Sequence, residues 1–536
     1  MLRILLIGCL FFCISVEGQE DAWVYFTDKP NANTYLNSPT SILSQRALDR
    51  RQKQNISLDT RDAPIEQTYY STIENVSDIT IMAKSKWLNA VHVRGSEANI
   101  ENLMNTFSFV ASIDFADKSL NNRPASQQQE GNHLNKLVTH QNFNYGNATN
   151  QIEMLKGDYL HQQDYTGEGM IIAVLDAGFP NVNTLGAFQR LRDNNRILGG
   201  YNFVERTSNF YTRNSHGTHV LSDIGGYIEG QFVGTAPDAS FYLFITEDFQ
   251  RENPLEESLW VEAAERADSL GVDVINTSLG YSTFDNSNYN YTYADMNGQT
   301  TFITRGAEIA ATRGMLLVNS AGNSGNSAWF YITAPADAAS ILTVGAVNAS
   351  GNLVSFSSRG PTSDNRTKPD VMAQGSSSAI VNYISGVPVG ASGTSFSSPI
   401  MAGVVTCLWQ AFPNKTAAEI IAVVKMSGDR ADNPDNNYGY GIPNFQTAFA
   451  SLTSENDIAL SNVYIYPNPT SSQLSFTFTN SLGDYQVDVY NVLGKRVKTY
   501  TNLTTNMIDV SQLSRGVYIL KITHQSEYKT FKLVKR

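Results

Sequence analysis

The sequence predicts an α/β fold with a mostly parallel central sheet, preceded by a small α+β unit and followed by a small β-sandwich. Three observations lead to this prediction. Between residues 146 and 451, apolar runs such as Met170–Leu175 alternate with helical segments such as Glu257–Leu270, and continuous apolar strands between helices indicate a parallel sheet covered on both faces. Residues 19–116 mix strand-like and helix-like runs. Residues 459–536 carry short alternating strands separated by turns.

Composition places the chain among large, acidic, multi-domain proteins. Its 536 residues exceed what one compact core usually organises. The formal net charge is −12, and no cluster of Lys and Arg interleaved with aromatic residues occurs, so we predict no nucleic-acid partner. The acidic balance therefore relates to solubility.

The N-terminus carries the pattern of a secretory signal peptide, which we assign to residues 1–18. A basic Arg3 precedes the apolar run Ile4–Val16, and small residues surround a cleavage position before Gln19. A membrane anchor is the alternative interpretation, but it needs roughly 20 apolar residues. A lipoprotein cleavage box ending at Cys9 is another, although a cut there would leave almost no hydrophobic region.

Cysteine usage argues against disulfides within the mature chain. Cys9 and Cys13 lie inside the predicted signal peptide, so only Cys407 remains. A catalytic thiol is one interpretation of Cys407. Its place in the apolar helical run Ile400–Trp409 favours the other interpretation, a buried small hydrophobic residue.

A largely polar stretch, residues 117–145, separates the first unit from the large domain. It includes the run Gln127–Asn132, which has no apolar side chain to bury. We therefore predict an exposed linker that proteases can reach.

The first candidate catalytic group is Asp176, which follows the predicted strand Met170–Leu175 and precedes Ala177 and Gly178. At that place the carboxylate projects from the edge of the sheet, where ligands bind in open α/β folds. Turn chemistry is the alternative, because Asp near a glycine is common where strands end.

Two histidines belong to a second block, His216-Gly217-Thr218-His219-Val220. His216 stands at the start of an apolar helix, where it can act as a general base, whereas His219 packs beneath it. A metal site is the alternative for two histidines three residues apart, but no third ligand and no His-Glu-x-x-His pattern is near.

Ser395 lies in a third block, Gly393-Thr394-Ser395-Phe396, before the apolar helix Ile400–Trp409. A hydroxyl at a helix N-terminus has free backbone N–H groups beside it, which favour negative charge on a substrate oxygen. Taken alone, the residue fits an ordinary helix N-cap better than a nucleophile.

Together the three blocks resemble the subtilisin-like serine proteases, or subtilases. The order Asp, His, Ser is one of those known for the serine-protease triad. The resemblance covers most of residues 146–451 and extends through further motifs: Thr166–Gly169, Gly234–Pro237, Asn276–Gly280, Ala321–Gly325, Val344–Val347 and Lys368–Asp370. It implies a subtilisin-like three-layer fold and an enzyme that hydrolyses peptide bonds.

Carried over by position, the resemblance implies roles for four residues. Ser395 attacks the scissile carbonyl, His216 takes its proton and later delivers it to the leaving amine, and Asp176 orients His216. Asn323 and the backbone N–H of Ser395 form the oxyanion hole. No cofactor is required. Calcium sites are frequent in the family, but no compact loop of alternating Asp and Asn assigns one here.

The resemblance also implies where substrate binds. The residues that match the strands holding substrate backbone and walling the specificity pocket are Ser278, Leu279, Gly280, Ala321 and Gly322. No Asp or Glu is directed there in the sequence, so we expect a roomy apolar pocket for large hydrophobic residues. We predict no metal ligand at this site.

Three positions depart from the family pattern. Ala177 stands where subtilases usually carry Ser or Thr, which removes a hydroxyl that supports the aspartate. Phe396 and Ser397 stand where Met and Ala are common, directly behind the nucleophile. None of the three changes removes a group that performs the reaction.

Resemblances to known families also imply roles for the two flanking units. Residues 19–116 have the size and α+β character of a subtilase propeptide, with a permanent accessory domain as the alternative. Residues 459–536 resemble the C-terminal sorting domains of the type IX secretion system through Tyr464–Pro469, Val489–Lys495 and Leu513–Tyr518. A carbohydrate-binding or surface-binding sandwich is the alternative for this unit.

The resemblance thus implies a secreted serine endopeptidase of a Gram-negative bacterium, which crosses the periplasm and acts outside the cell or at its surface. Its partners are protein or peptide substrates, its own propeptide as an intramolecular inhibitor, and the type IX secretion machinery. A binding protein on an inactive subtilase scaffold is the competing hypothesis. A lipase or esterase fits less well, because its nucleophile usually lies in Gly-x-Ser-x-Gly and its triad runs Ser, Asp, His.

Overall fold

The structure is a computed structural model that describes residues 18–121, 143–461, 464–477, 485–492, 495–501, 503, 506–524 and 527–536. Residues 1–17 of the predicted signal peptide, and residues 122–142 of the predicted linker, lie outside the described residues. The chain divides into two compact units, Met1–Gln446 and Thr447–Arg536.

The elements follow one another in chain order. The α-helices are α1 Ala32–Leu36, α2 Gln45–Lys53, α3 Gln67–Glu74, α4 Glu97–Thr106, α5 Thr149–Glu153, α6 Gly157–Gln162, α7 Gln189–Asp193, α8 His216–Gly225, α9 Leu255–Leu270, α10 Phe302–Thr312, α11 Thr394–Ala411, α12 Ala417–Met426 and α13 Phe445–Ser461. The strands of the first unit are β1 Gln19–Phe26, β2 Thr80–Ser85, β3 Ala90–Ser96, β4 Val110–Phe115, β5 Ile171–Asp176, β6 Ile197–Asn202, β7 Tyr227–Ile228, β8 Phe232–Val233, β9 Ser240–Ile245, β10 Val274–Thr277, β11 Leu316–Ser320, β12 Leu342–Val347, β13 Val371–Gln374, β14 Ser378–Val381 and β15 Pro388–Ala391. Those of the second unit are β16 Tyr464–Tyr466, β17 Gln473–Thr477, β18 Tyr485–Asn491, β19 Arg496–Tyr500, β20 Met507–Asp509, β21 Gly516–His524 and β22 Glu527–Lys535.

A seven-stranded sheet forms the centre of the first unit, in the order β13-β12-β11-β10-β5-β9-β6. Every neighbouring pair in it is parallel, which confirms the predicted fold class. The strand order changes direction at β5, which lies between β9 and β10. At such a switch point a crevice opens beyond the carboxyl ends of the strands, and this crevice is where the candidate site lies.

Helices cover both faces of the sheet. α9 and α10 share one hydrophobic core with alternate side chains of the central strands, including Ala173, Leu175 and Ile275. α8 and α11 contact the sheet from its other face. α9 ends before Gly271, whose φ of +84° is the left-handed conformation that commonly closes a helix.

Residues 19–121 form a small α+β unit of the kind predicted for residues 19–116, and Leu120, assigned to the linker from sequence, packs against its core. Its antiparallel sheet has the order β2-β3-β1-β4 and packs on α9 and α10. Trp23 stacks on Phe302 of α10 with ring centroids 4.8 Å apart, and its Nε1 donates to Oγ of Ser258 in α9 at 2.8 Å. The small sheet and the two helices therefore share one buried core.

The second unit is a β-sandwich, as predicted. Its sheets have the orders β16-β17-β20 and β19-β18-β21-β22, and buried side chains from both, such as Phe476, Val487 and Leu520, form one core. The sequence pattern did not reveal β19 and β20. β19 reads Arg-Val-Lys-Thr-Tyr and is mostly exposed, and β20 has three residues, so neither carries a clear alternation of apolar and polar residues.

Among the described residues, no helix combines the length and the hydrophobicity that crossing a bilayer requires.

Candidate active site

Asp176 is the last residue of β5, and its side chain is completely buried. Its Oδ1 lies 2.8 Å from Nδ1 of His216 and also accepts the backbone N–H of Ala177 at 2.7 Å. Within the described residues, Oδ2 is buried and has no hydrogen-bond partner. One carboxylate oxygen therefore carries both contacts.

His216 is the first residue of α8, and its side chain is 29% exposed. The close approach of α8 to the end of β5 depends on Gly217, because a Cβ there would lie 2.9 Å from Cβ of Asp176 and 2.5 Å from the carbonyl oxygen of Gly178. Burial lowers the pKa of His216, but the charge of Asp176 and its hydrogen bond outweigh burial and raise that pKa above its ordinary value. The ring is thus held as a strong base.

Ser395 is the second residue of α11, a helix that begins at Thr394 and has Gly393 at its N-cap position. The N-cap interpretation of Ser395 is therefore wrong, since no side chain caps this helix. Oγ of Ser395 donates to the carbonyl oxygen of Ser278 at 3.3 Å. The ring of Phe396, the next residue along α11, lies 6.1 Å from that of His216. The start of α11 is therefore near His216, and the Ser395 hydroxyl itself is directed at Ser278.

Asn323 follows β11 and reaches the start of α11. Its Oδ1 accepts two hydrogen bonds from Thr394, one from the backbone N–H at 2.8 Å and one from Oγ1 at 3.1 Å. These bonds fix the orientation of the amide and leave Nδ2 to donate elsewhere. The exposed Asn323 side chain and the helix N-terminus that carries Ser395 therefore belong to one edge of the crevice.

The predicted substrate-binding residues follow two neighbouring strands. Ser278, Leu279 and Gly280 come after β10, and Ala321 and Gly322 come after β11, which pairs with β10 in parallel. Because parallel strands end at the same edge of a sheet, the two segments lie side by side next to Asp176 on β5. Asn319 links them, since its Nδ2 donates to the Leu279 carbonyl oxygen at 3.3 Å.

The sequence interpretation missed Thr333, which lies between the two segments. A Cβ on Gly280 would lie 2.2 Å from Thr333 Oγ1, and a Cβ on Gly322 would lie 3.0 Å from it. Within the described residues this buried hydroxyl has no hydrogen-bond partner. A polar, branched side chain therefore lies between the two predicted substrate-binding segments. No local motif signals it, because Thr333 comes from a separate loop.

The structure bears on two alternatives raised by the sequence, a metal site at His216 and His219 and a catalytic thiol at Cys407. The His219 ring lies edge-on to Tyr383, with ring centroids 5.7 Å apart. No cluster of three His, Cys, Asp or Glu side chains able to hold a metal occurs among the described residues. Cys407 is completely buried in α11. Burial raises the pKa of its thiol well above the ordinary value, which disfavours a reactive thiolate.

Comparison with protein families gives three matches along the chain. A profile described as the subtilase family matches residues 167–441, a range that includes Asp176, His216, Asn323 and Ser395. A profile described as the peptidase S8 propeptide domain of Bacteroidota matches residues 21–133. A profile described as a secretion system C-terminal sorting domain matches residues 464–536.

Curated proteins similar to the chain are proteases. Subtilisin E of Bacillus subtilis (strain 168) is 32% identical over 341 residues, which are 62% of this chain and 78% of subtilisin E. Serine protease AprX of the same organism is 29% identical over 316 residues, which are 53% of this chain and 67% of that protein.

A similar solved structure is the crystal structure of MycP1 from the ESX-1 type VII secretion system. It is 22% identical, with a TM-score of 0.44, and the match covers 59% of this chain and 89% of MycP1.

Proposed function

Because this chain belongs to the subtilase family of serine proteases, we propose that it is an endopeptidase that cleaves proteins through an acyl-enzyme on Ser395. The observation that carries the proposal is the buried Asp176 carboxylate 2.8 Å from the His216 ring. That ring lies 6.1 Å from the ring of Phe396, which follows Ser395 at the start of α11. An ordinary turn or helix start does not need such a pair.

In the proposed reaction, Nε2 of His216 takes the proton of Ser395 as Oγ attacks the scissile carbonyl carbon. The hydroxyl first leaves the Ser278 carbonyl oxygen, to which it donates at 3.3 Å, and turns to the ring. His216 then protonates the leaving amine, and water enters to hydrolyse the ester formed on Ser395. Asp176 holds the tautomer with Nδ1–H and stabilises the imidazolium.

The tetrahedral intermediate needs donors for its negative oxygen. We assign these to Nδ2 of Asn323 and to the backbone N–H of Ser395 at the first turn of α11. The support is that Thr394 binds the other atom of the Asn323 amide, so Nδ2 is oriented before substrate arrives. Donors fixed in advance lower the barrier most, because they do not have to reorganise during the reaction.

The reaction so assigned uses only groups of the chain and requires no cofactor, and calcium is not assigned to any residues. We further propose that peptide substrate lies along Ser278–Gly280 and Ala321–Gly322. The side chain before the scissile bond would enter the pocket that contains Thr333. The sequence led us to expect a roomy pocket for large hydrophobic residues. Because Thr333 would occupy part of this space, we instead propose that the pocket accepts medium-sized hydrophobic residues.

The flanking units fit a secreted zymogen. The C-terminal sorting domain indicates export by type IX secretion to the cell surface or the medium, and we propose that residues 459–536 bind that machinery. We also propose that the propeptide is an intramolecular inhibitor of the enzyme until it is released. Residues from Tyr145 onward are built into the large domain, since Tyr145 is buried and its hydroxyl lies 2.8 Å from Nδ1 of His161, so we place the cut before Tyr145.

Casein hydrolysis by the purified enzyme tests the proposal, with Ser395→Ala as the decisive variant. We expect activity in the wild type, its loss on treatment with a serine-directed phosphonate, and no activity in Ser395→Ala. Ser392→Ala, an exposed serine of the same segment, serves as the matched control and keeps activity. Equal hydrolysis by wild type and Ser395→Ala would refute the mechanism, and an inert wild type would favour the inactive binding scaffold.

A further inference from the structure

Helix α2 of the propeptide carries three arginines towards the place where α9 and α10 end. Arg46, Arg50 and Arg51 all contact residues beyond residue 260. The target is the turn after α9 and the turn after α10, where backbone carbonyls lack helical partners and the helix dipoles are negative. This contact is separate from the packing of the propeptide sheet on Trp23 and Phe302.

Arg50 inserts between the two helix ends. Its Nη2 pairs with Asp268 of α9, its Nη1 donates to the carbonyl oxygen of Val272, and its Nε donates to the carbonyl oxygen of Arg313 at 3.2 Å. The residue is 5% exposed. One guanidinium thus satisfies a carboxylate and the carbonyls that follow both helices.

Arg51 reaches the same carboxylate from the neighbouring position. Its Nη2 donates to Oδ2 of Asp268 at 2.7 Å and to Oδ1 of Asp62, within the propeptide, also at 2.7 Å. Arg46 adds a pair with Asp273 and a hydrogen bond from Nε to the Gly271 carbonyl oxygen at 3.0 Å. The two oxygens of Asp268 are therefore divided between Arg50 and Arg51.

Asp268 is completely buried beneath these arginines. Burial raises its pKa, but the charges of Arg51 and Arg50 outweigh burial and hold the pKa of this carboxyl below its ordinary value. A buried carboxylate that loses its cationic partner is strongly unfavourable, whereas an exposed surface pair contributes little. Loss of either arginine would therefore leave Asp268 buried with only one cationic partner from α2.

We propose that the carboxyl ends of α9 and α10, with Asp268 between them, form a guanidinium-binding site of the protease, and that Arg50 and Arg51 in this site hold the propeptide on the enzyme after the chain has been cut. The inference rests on the proposed function, since it assumes maturation by cleavage. The cut, which we place between Lys118 and Asn144, is distant in sequence from α2, so cleavage there breaks none of these bonds. Release then requires either dissociation of both arginines or destruction of the propeptide.

The experiment uses the full chain, expressed and allowed to mature. Gel filtration with mass spectrometry measures how long the propeptide fragment stays with the enzyme, and a fluorogenic peptide measures the rise of activity after dilution. In the wild type we expect the fragment to co-elute and activity to rise slowly. In Arg50→Gln we expect release to be faster by roughly 100-fold or more, as for a broken buried ion pair.

Arg206→Gln is the matched control, because Arg206 also crosses the interface but is exposed. Its Nη2 donates to the Met82 carbonyl oxygen of the propeptide, and its side chain is 38% exposed. We expect release within a few-fold of wild type. If Arg50→Gln yields no matured enzyme, Arg50→Lys is the test variant. Lysine keeps the positive charge but lacks the planar guanidinium that donates to three acceptors at once, so we expect the propeptide to be released roughly 10-fold faster than from the wild type.

Two results would overturn the inference: a wild-type fragment that separates at once, or equal release rates in the wild type and the Arg50 variants. Failure of the proposed function has a different signature. A chain that is not a protease would not mature, would not hydrolyse casein and would not react with the phosphonate, in the wild type as in every variant.

Discussion

The backbone N–H of Ala177 donates to Oδ1 of Asp176, the same oxygen that lies 2.8 Å from the His216 ring. Oδ2 is left buried and unpaired among the described residues. The family usually has a hydroxyl at position 177, and the alanine provides none. A buried acceptor without a donor costs stability and leaves the carboxylate less firmly oriented.

Ala177→Thr supplies the absent hydroxyl. We expect the variant to bind Oδ2 of Asp176, to gain roughly 1 kcal/mol of stability, and to show a higher kcat because the triad is better oriented. The added donor also disperses the carboxylate charge, so the pKa of His216 should fall slightly. Ala177→Val has the same shape without the hydroxyl and isolates its effect. Equal stability and kcat in the two variants would show that Oδ2 is already satisfied.

The pH profile of the enzyme should reflect the raised pKa of His216. The base must be neutral to accept a proton, so kcat/KM should rise with pH and reach half its maximum above about 6.5, the ordinary value for histidine. The same shift adds stability below that ordinary pKa, and this stability is lost as pH rises through the folded-state pKa.

Asp176→Asn tests the cause of this shift. Removing the charge should lower the pKa of His216 and move the acid limb of kcat/KM to lower pH, while kcat falls on the order of 10⁴-fold because the tautomer is wrong. Measurements from pH 5 to pH 9 with one peptide substrate suffice. An acid limb that stays in place would mean that Asp176 does not set the basicity of His216.

The triad could be predicted from the sequence because each member lies in a short motif at the end of an element, and the strand pattern places those ends at one edge of a sheet. The position of Thr333 could not be predicted, because a separate loop brings this residue between Gly280 and Gly322. The partners of Arg50 could not either, since Val272 and Arg313 are contacted through their carbonyl oxygens, which every residue has. Strand β19 was not predicted because it is exposed and basic, and therefore lacks the alternation of apolar and polar residues that indicates a strand.

Asn323→Ala removes the proposed side-chain donor of the oxyanion hole. We expect kcat to fall roughly 100- to 1,000-fold with little change in KM, because the lost interaction is made mainly in the transition state. Asn326→Ala, an exposed asparagine of the same loop, should behave as wild type. A change in KM alone would instead indicate that Asn323 binds substrate in the ground state.

Thr333→Gly should enlarge the specificity pocket. Because Thr333 Oγ1 occupies the space into which a Cβ on Gly280 or Gly322 would point, removal of this side chain opens space at the junction of the two segments. We expect the ratio of kcat/KM for Phe over Ala before the scissile bond to rise on the order of 10-fold. Thr333→Ser removes only the methyl group, so its ratio should lie between those of the wild type and Thr333→Gly. An unchanged ratio in both variants would place the pocket elsewhere.

Asp223, two turns after His216 on α8, carries a buried carboxyl with an incomplete set of partners. Its Oδ1 accepts Nε2 of Gln151 at 3.1 Å, while Oδ2 has no hydrogen-bond partner within the described residues. Gln151 also binds the backbone N–H and carbonyl of Ala379 in β14. Burial raises the pKa of Asp223 well above its ordinary value, so the folded chain keeps a proton that the unfolded chain releases above about pH 4.

It follows that this group contributes full stability below about pH 4 and that the contribution is lost as pH rises towards the folded-state pKa. Asp223→Asn keeps the shape and still accepts the Gln151 N–H, but it cannot ionise. We expect stability to increase at pH 8 by about 1–3 kcal/mol and to change little at pH 4. Urea unfolding in the Ser395→Ala background avoids autolysis, with the exposed Asp432→Asn as control. A loss of stability at both pH values would mean that Asp223 is ionised and paired in the fold.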